Sequence, residues 1–510
     1  MQPGFYPSPG SVEEKDAFRR LQESFAKSYP VYFPDKLAEK TIVVIPSLTL
    51  DEELLKRLKG HIYYEERMLC MLMLLRMPRT RLVYVSSIPI DDEIISYCLH
   101  LLPGVTGRHA RQRLTMLSCY DNSAKPLTKK ILDRPRLIER IKSSIYNKNG
   151  SHIACFNVTD LERTLAVQLD IPVYGTDPEL NYLGSKSGSR KLFKTAGVPL
   201  PEGREDLKNY EQVIDAVISL KQQNPLLRKA LIKTNEGFSG EGNAVYTYPQ
   251  IPDGADAGEV IRSTFQNQLR FVLQEMNMEI FFRKVEQMEC VVEEFMEGDE
   301  TTSPSVQCRI DPNHNIAIIS THDQLLGDHD KQVYLGAHFP ANSEYNVAIA
   351  KYSEKIAAEL ARLGVLGRFS IDFVSAKGAE GWRHYAIEIN LRKGGTTHPF
   401  LILQFLSDGE YNAKEGSYVT ASGARRYYFS TDNILKEDYK GLTPHDLVDI
   451  AACNGLLYDG AAQEGVMFHM VGALSQYGKL GVVCIASSID RANEYFNSVI
   501  RALDAETGGC

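Results

Sequence analysis

The sequence predicts a mixed α/β and α+β protein, an open parallel α/β sheet followed by a larger unit of strands and helices. Three observations carry this. Short β-rich runs at 41–46, 81–86, 113–117 and 152–156 alternate with helical segments at 51–77 and 91–102, the rhythm of a sheet wound on both sides. From residue 183 the order becomes helix, helix, strand, glycine-rich loop, strand, so a second unit begins there. The 510 residues exceed the usual domain of about 100 to 200, so several domains are expected.

Residues 1–40 are rich in Pro and Tyr, with one short helical pattern at 18–25, and read as a leader packed on the first domain. That domain is expected to end near Tyr174. In the second unit, helices are expected over 186–196 and 210–222, with strands at 230–233, 244–248 and 288–295. A hairpin is expected between 305–310 and 316–321, turned by Asp311-Pro312-Asn313-His314. An amphipathic helix at 345–363 precedes strands at 367–374 and 384–389. The last hundred residues suggest a hairpin of 465–474 with 481–486 and a terminal helix at 490–503.

Composition narrows the function. Acidic residues number 65 against 57 basic ones, a formal charge of -8, so no global positive field exists to hold a nucleic acid. The densest basic stretch, Arg134, Arg136, Arg140 and Lys142, alternates with apolar residues at helical spacing and reads as a solvated helix face. Nine cysteines, scattered and never in a CxxC pair, argue against a disulfide framework and against a zinc site. The longest apolar run, 68–75, is less than half a membrane span, and residue 1 opens no basic-then-apolar signal. A cytoplasmic protein with neither nucleic-acid nor membrane partner is expected.

Four segments bear chemistry. Asp372 lies in one β-rich run while Glu388 and Asn390 lie two apart in the next, so the latter pair emerges on one strand face. On neighbouring strands the three would converge as hard oxygen ligands, the donor type that suits Mg²⁺ bound to a nucleotide. Hydrogen-bonded polar groups at strand ends fit the same pattern. Lys233 closes a strand ahead of Gly237, Ser239, Gly240 and Gly242. Such a loop lets backbone N–H groups close over phosphates while the lysine supplies charge, though a flexible hairpin fits equally. In Glu293-Glu294-Phe295-Met296-Glu297-Gly298, backbone groups around Glu294 and Met296 can read an adenine edge, Phe295 and Met296 can cover its face, and Glu297 or Glu300 can accept ribose hydroxyls. The fourth segment is Lys186, ahead of the turn Gly197-Val198-Pro199-Leu200-Pro201.

Together, and in this order, these segments resemble the ATP-grasp superfamily. The resemblance implies an ATP-grasp fold with an N-terminal open parallel α/β, or pre-ATP-grasp, domain. ATP would lie between two α+β lobes, with Lys186 and Lys233 on its phosphates and the 237–242 loop as a lid. Asp372, Glu388 and Asn390 would hold two Mg²⁺ ions, for which Mn²⁺ can substitute. The implied division is a leader at 1–40, the pre-ATP-grasp domain at 41–182, a first lobe at 183–300, a second lobe with the metal site at 301–410, and a C-terminal α/β extension at 411–510.

The stretch Glu388-Ile389-Asn390-Leu391-Arg392-Lys393-Gly394-Gly395-Thr396-Thr397-His398-Pro399, with Phe468-His469-Met470 near the C-terminus, is similar to pheganomycin-type peptide ligases. That similarity implies an ATP-dependent carboxylate–amine ligase making a peptide or other amide bond through an acyl phosphate, with release of ADP and phosphate. Its substrates would be a small carboxylate and an amine, amino acids or a peptide among them; a homodimer is compatible with the sequence. Arg392 would stabilise the acyl phosphate or the tetrahedral oxyanion, or else form a surface salt bridge. Arg368 would serve where relatives carry an arginine two residues before the metal-binding Asp, a position held here by Ser370. Lys393 is expected to face solvent. Gly394, Gly395, Thr396, Thr397 and His398 either meet the substrate or form a structural turn; His322 either contacts substrate or is a satisfied polar group. His469 would close over the acceptor site. Two other activities stay open: an ATP-grasp kinase or thioester-forming ligase, and a non-catalytic nucleotide-binding regulatory module.

Overall fold

The computed structural model describes residues 6–50, 52–237, 242–273, 275–327 and 333–508. Its first sheet is parallel and four-stranded, ordered Leu114–Ser118, Thr80–Ser86, Lys40–Ile45, Ser151–Cys155. Every residue of Lys40–Ile45 and Ser151–Cys155 is buried, because helices cover both faces. The helix Val12–Tyr32 lies against this domain and is much longer than the 18–25 pattern suggests. Phe18 and Phe25 are buried, and Glu14 accepts hydrogen bonds from Arg163 and Thr164, so apolar and polar anchors together hold it.

The segment expected as one helix at 51–77 is broken. A short helix, Glu52–Arg57, stops before Gly60, whose φ of +69° is left-handed, and 3₁₀ turns follow over His61–Arg76. Glu65, Glu66 and Arg67 are buried there beside Met68 and Leu72, so the segment buries every side and has no solvent stripe of the kind a surface helix shows.

The second unit opens with the helix Lys186–Ala196. Ser185 caps its start, and Gly197 ends it at φ +61° with Val198 N–H bonded to Phe193 O, the turn that lets Pro199 follow. A five-stranded antiparallel sheet, ordered Gly203–Leu207, Cys290–Glu294, Lys229–Thr234, Asn243–Thr247, Leu269–Phe271, packs on Tyr210–Gln223, Ala257–Gln268 and Met278–Met288 through Val213, Val217, Phe265 and Phe281.

An eight-stranded antiparallel sheet forms the opposing side. It runs Gly381–Asn390, Gly367–Gly378, Glu300–Ile310, Ile316–Gly327, Val333–Phe339, Tyr427–Leu435, Lys479–Ala486, Gly465–His469. The C-terminal strands therefore continue the sheet that carries Asp372. The helix Thr397–Ser407 is enclosed by Met68, Leu69 and Leu72 from the first domain and by C-terminal residues such as Phe468, one apolar core reaching across the chain. Among the described residues, no helix is long and apolar enough to cross a membrane.

Candidate active site

A cleft of about 1010 Å³ opens between the two sheets, and Lys186, Lys233, Asp372, Glu388, Asn390 and Arg392 all line it. Asp372 and Glu388 are direct cross-strand partners, as are Ser370 and Asn390. Because Phe373 pairs with Ala386, Ile387 is an extra residue on its strand. This bulge lets Ile387 and Glu388 both face the cleft, a known way for strands to re-aim side chains.

Asp372 accepts from Ser305 Oγ at 2.6 Å and from Asn390 Nδ2 at 3.0 Å. Burial and then the nearby Glu388 charge push its carboxyl up to about 6. Burial also pushes Glu388 up, but Lys186, Lys233 and Arg392 outweigh it and hold that carboxylate below its ordinary range. Lys186 Nζ is hydrogen-bonded to Glu388. Two adjacent acids whose charges oppose one another, with a third oxygen available by turning the Asn390 amide, form a donor set that fits Mg²⁺.

The lysines are built in from behind. Lys186 and Lys233 are 7% and 5% exposed. Lys233 Nζ lies 2.6 Å from Glu293 Oε2, while Arg190 Nη1 donates to Glu293 Oε1 at 2.7 Å. Burial pushes the Glu293 carboxyl up, and the two cations more than offset it, so it stays below the ordinary range. Glu293 thus holds Lys233 in place. Asn235 ties the lysine-bearing elements together, its backbone O accepting from Lys186 N at 3.2 Å and its Oδ1 from Ser187 N at 2.9 Å.

Glu294, Phe295 and Met296 line the same end of the cleft. The Glu294 N–H is committed to Glu202 O and the Phe295 N–H to Lys229 O. Glu300 is exposed and outside the cleft lining; Thr301 and Thr302 line it instead. Gly237 lines the cleft, and Gly242, at φ +82°, accepts from Thr234 N at 3.0 Å. Ser239 and Gly240 lie outside the described residues.

Several other expectations need correction. Arg368 is absent from the cleft lining; its charge is felt instead by Tyr174 and Cys70, under the first domain, because it sits four residues along the strand from Asp372. His322 is fully buried, bonded through Nε2 to Tyr428 Oη at 2.7 Å and packed on Phe339, so it belongs to the core. Lys393 does not face solvent: its ammonium reaches Cys155 O and its N–H reaches Phe156 O, pinning the loop to the first domain. Gly394, Gly395 and Thr396 line the cleft, and a Cβ on Gly395 would stand 2.9 Å from the Tyr334 ring. Thr397 lies behind them, its Oγ1 accepting from Gly394 N and Gln307 Nε2, both at 3.0 Å.

His398 is likewise buried, in a cluster with His469 and Asp432. His469 Nε2 lies 2.6 Å and His398 Nε2 3.3 Å from Asp432 Oδ1. Arg67, Tyr64, Lys479 and Asp432 also line the cleft, and sequence reasoning missed them all. The one available signal was Glu65-Glu66-Arg67, charges set inside an otherwise apolar run.

Comparisons with known proteins bear on this geometry. A family model described as IQCH-like, ATP-grasp matches residues 178–252 and 264–414, and one described as PGM1 C-terminal domain matches residues 446–499. The chain is 28% identical over 468 residues to the L-propargylglycine–L-glutamate ligase of Streptantibioticus cattleyicolor, spanning 89% of this chain and 92% of that one. It is 22% identical over 505 residues to IQ motif-containing protein H of Danio rerio, spanning 89% of this chain but only 47% of that protein. Among solved structures, biotin carboxylase of Campylobacter jejuni in a β-γ-ATP complex aligns at TM-score 0.53 and 12% identity, over 91% of this chain and 92% of that one. The biotin carboxylase domain of Hydrogenobacter thermophilus 2-oxoglutarate carboxylase, complexed with MgADP, aligns at 0.52 and 12%, over 91% and 89%. Identity that low speaks for the fold alone. A family model laid over both lobes of the cleft, together with the likeness to those two solved structures, leads to one conclusion: the chain has the ATP-grasp fold.

Proposed function

We propose that this chain is an ATP-dependent carboxylate–amine ligase that forms a peptide or other amide bond through an acyl phosphate, releasing ADP and phosphate. The observation that carries the reading is the convergence of Asp372, Glu388 and Asn390 with Lys186 and Lys233 in one cleft. The Streptantibioticus relative is named for joining two amino acids, and we take that substrate class for this chain. The protein acts as a cytoplasmic enzyme on small molecules.

Asp372, Glu388 and Asn390 would hold Mg²⁺, which when bound supplies charge neutralisation on a transferring phosphoryl group. Lys186 and Lys233 hold the phosphates, and Met296 and Phe295 border the base. The donor carboxylate oxygen attacks the γ-phosphorus in line, and the bond from that phosphorus to the bridging oxygen of ADP breaks. The amine nitrogen then attacks the acyl carbon, losing a proton as phosphate leaves. Arg392, beside Asn390 in the cleft wall, stabilises the oxyanion of that second step.

Pairs of amino acids and small carboxylates are screened for phosphate release, with mass spectrometry of the products and hydroxylamine as a trap for the acyl phosphate. ADP, phosphate and an amide product are expected. Appearance of AMP and pyrophosphate would point to adenylation, and phosphate transfer without hydroxamate would point to a kinase.

A further inference from the structure

The cleft that holds Lys186 and Lys233 is also lined by two buried cations from distant parts of the chain. Arg67 is 5% exposed, its guanidinium clamped between the rings of Tyr64 at 4.6 Å and Phe156 at 4.7 Å. Lys479, 7% exposed, begins a C-terminal strand; its Nζ donates to Tyr64 Oη at 2.7 Å and lies 4.7 Å from the centre of that ring. Tyr64 thus supports both groups. Both line the cleft.

Their charge is poorly matched from within. Asp432 accepts from Arg67 at 3.2 Å through Oδ2, but its Oδ1 is shared by His469 and His398. Among the described residues, no carboxylate lies within ion-pair distance of Lys479. An ammonium kept from water with a phenol as its partner is costly, and an anion entering the cleft would relieve that cost.

The position of these two cations selects which anion. Phe156, whose ring packs on Arg67, accepts through its backbone O from the N–H of Lys393, three residues past Asn390. The Tyr334 ring stands against Gly395, and its backbone O accepts from Nδ2 of Asn433, the neighbour of Asp432, so these residues adjoin the end of the cleft that holds Asn390 and Arg392. The donor's carboxylate is consumed at Asp372 and Glu388. A second anion beside Arg67 and Lys479 is then a spectator, and the simplest amine partner that carries one is an α-amino acid or peptide.

Resting on the ligase reading, we propose that Lys479 and Arg67, propped on Tyr64, form a subsite for the free carboxylate of an α-amino acid or peptide whose amine is acylated. The subsite makes a carboxylate-free amine a poor acceptor. It also gives the C-terminal strands, which carry no part of the nucleotide site, a role in choosing the substrate.

Calorimetry on the full chain tests this with L-glutamate, L-alanine and ethylamine as probes, with and without a non-hydrolysable ATP analogue and Mg²⁺. Wild type is expected to bind at least one of the amino acids and not ethylamine. Lys479→Gln should weaken that binding about 10- to 100-fold, the scale of a lost charged hydrogen bond, with nucleotide affinity unchanged. Lys479→Arg, which keeps the charge, should recover most of it and guards against a folding defect in the Gln variant. The subsite is overturned if ethylamine binds as well as the amino acids, if neither amino acid binds, or if Lys479→Gln weakens the ATP analogue instead, which would make Lys479 a phosphate ligand. Wild type that binds no nucleotide would sink the ligase reading, while the amino-acid arm run without nucleotide still decides the subsite.

Discussion

Lys233 and Glu293 form an ion pair at 2.6 Å between groups only 5% and 2% exposed, and Arg190 closes the other side of the same carboxylate at 2.7 Å. Removing the shared acid leaves two cations without it in the interior. Glu293→Ala should destabilise the fold by about 3 to 5 kcal/mol and weaken ATP binding, since Lys233 loses its anchor. Urea denaturation and nucleotide calorimetry check both halves; an unchanged denaturation midpoint would contradict the structural role.

Glu388 faces the opposite demand, because its proposed metal-holding role needs its charge in the cleft. Glu388→Gln keeps the shape and removes the charge that pairs with Lys186 and that, in the proposed role, would hold a cation. Turnover should fall at least on the order of 100-fold, the scale seen when one transition-state electrostatic contact is removed, with circular dichroism retained. Phosphate release at the wild-type rate would refute the metal assignment.

Arg392 and Arg368 separate a residue of the cleft lining from one outside it. Arg392→Lys should lower kcat on the order of 100-fold with little change in the KM for ATP, because the interaction is made in the transition state. Arg368→Lys should leave kcat unchanged, since Arg368 lies outside the cleft lining with its charge beside Tyr174 and Cys70. A kcat defect in the Arg368 variant would return that residue to the reaction.

His322 predicts an acid limb of stability. Burial pushes its pKa down to about 3, against about 6.5 for an exposed histidine, so the folded chain excludes a proton that the unfolded chain binds. Stability falls as pH drops through that window, by up to about 1.4 kcal/mol per pH unit for one proton. In His322→Gln, urea midpoints measured from about pH 7 to about pH 4 should fall less steeply than in wild type, by that one-proton increment. Parallel pH profiles would show that His322 does not titrate as the structure implies.

The parts of this molecule that could be read in advance were those in which local chemistry and placement coincide. Strand runs of Val and Ile, the Gly197-Val198-Pro199 helix stop and the two-residue spacing of Glu388 and Asn390 each depend on neighbours a few positions away. The 51–77 segment misled because its apolar residues suggest a helix, whereas Gly60 breaks it and the surrounding domains bury it on every side. Lys393 and His322 misled for a related reason: a charged or titratable side chain does not announce whether a distant carbonyl or phenol will accept it.

By itself the order of residues determined an α/β protein with lysines, a glycine-rich loop and an acidic trio arranged along one stretch of chain. Only the tertiary structure decided that Glu293 serves Lys233, that Arg368 lies away from the cleft, and that Tyr64, Arg67, Asp432 and Lys479 meet in its lining. Tyr64 and Arg67 stand hundreds of positions from Asp432 and Lys479, and what joins them is sheet register and the burial of charge, neither of which leaves a local mark on sequence.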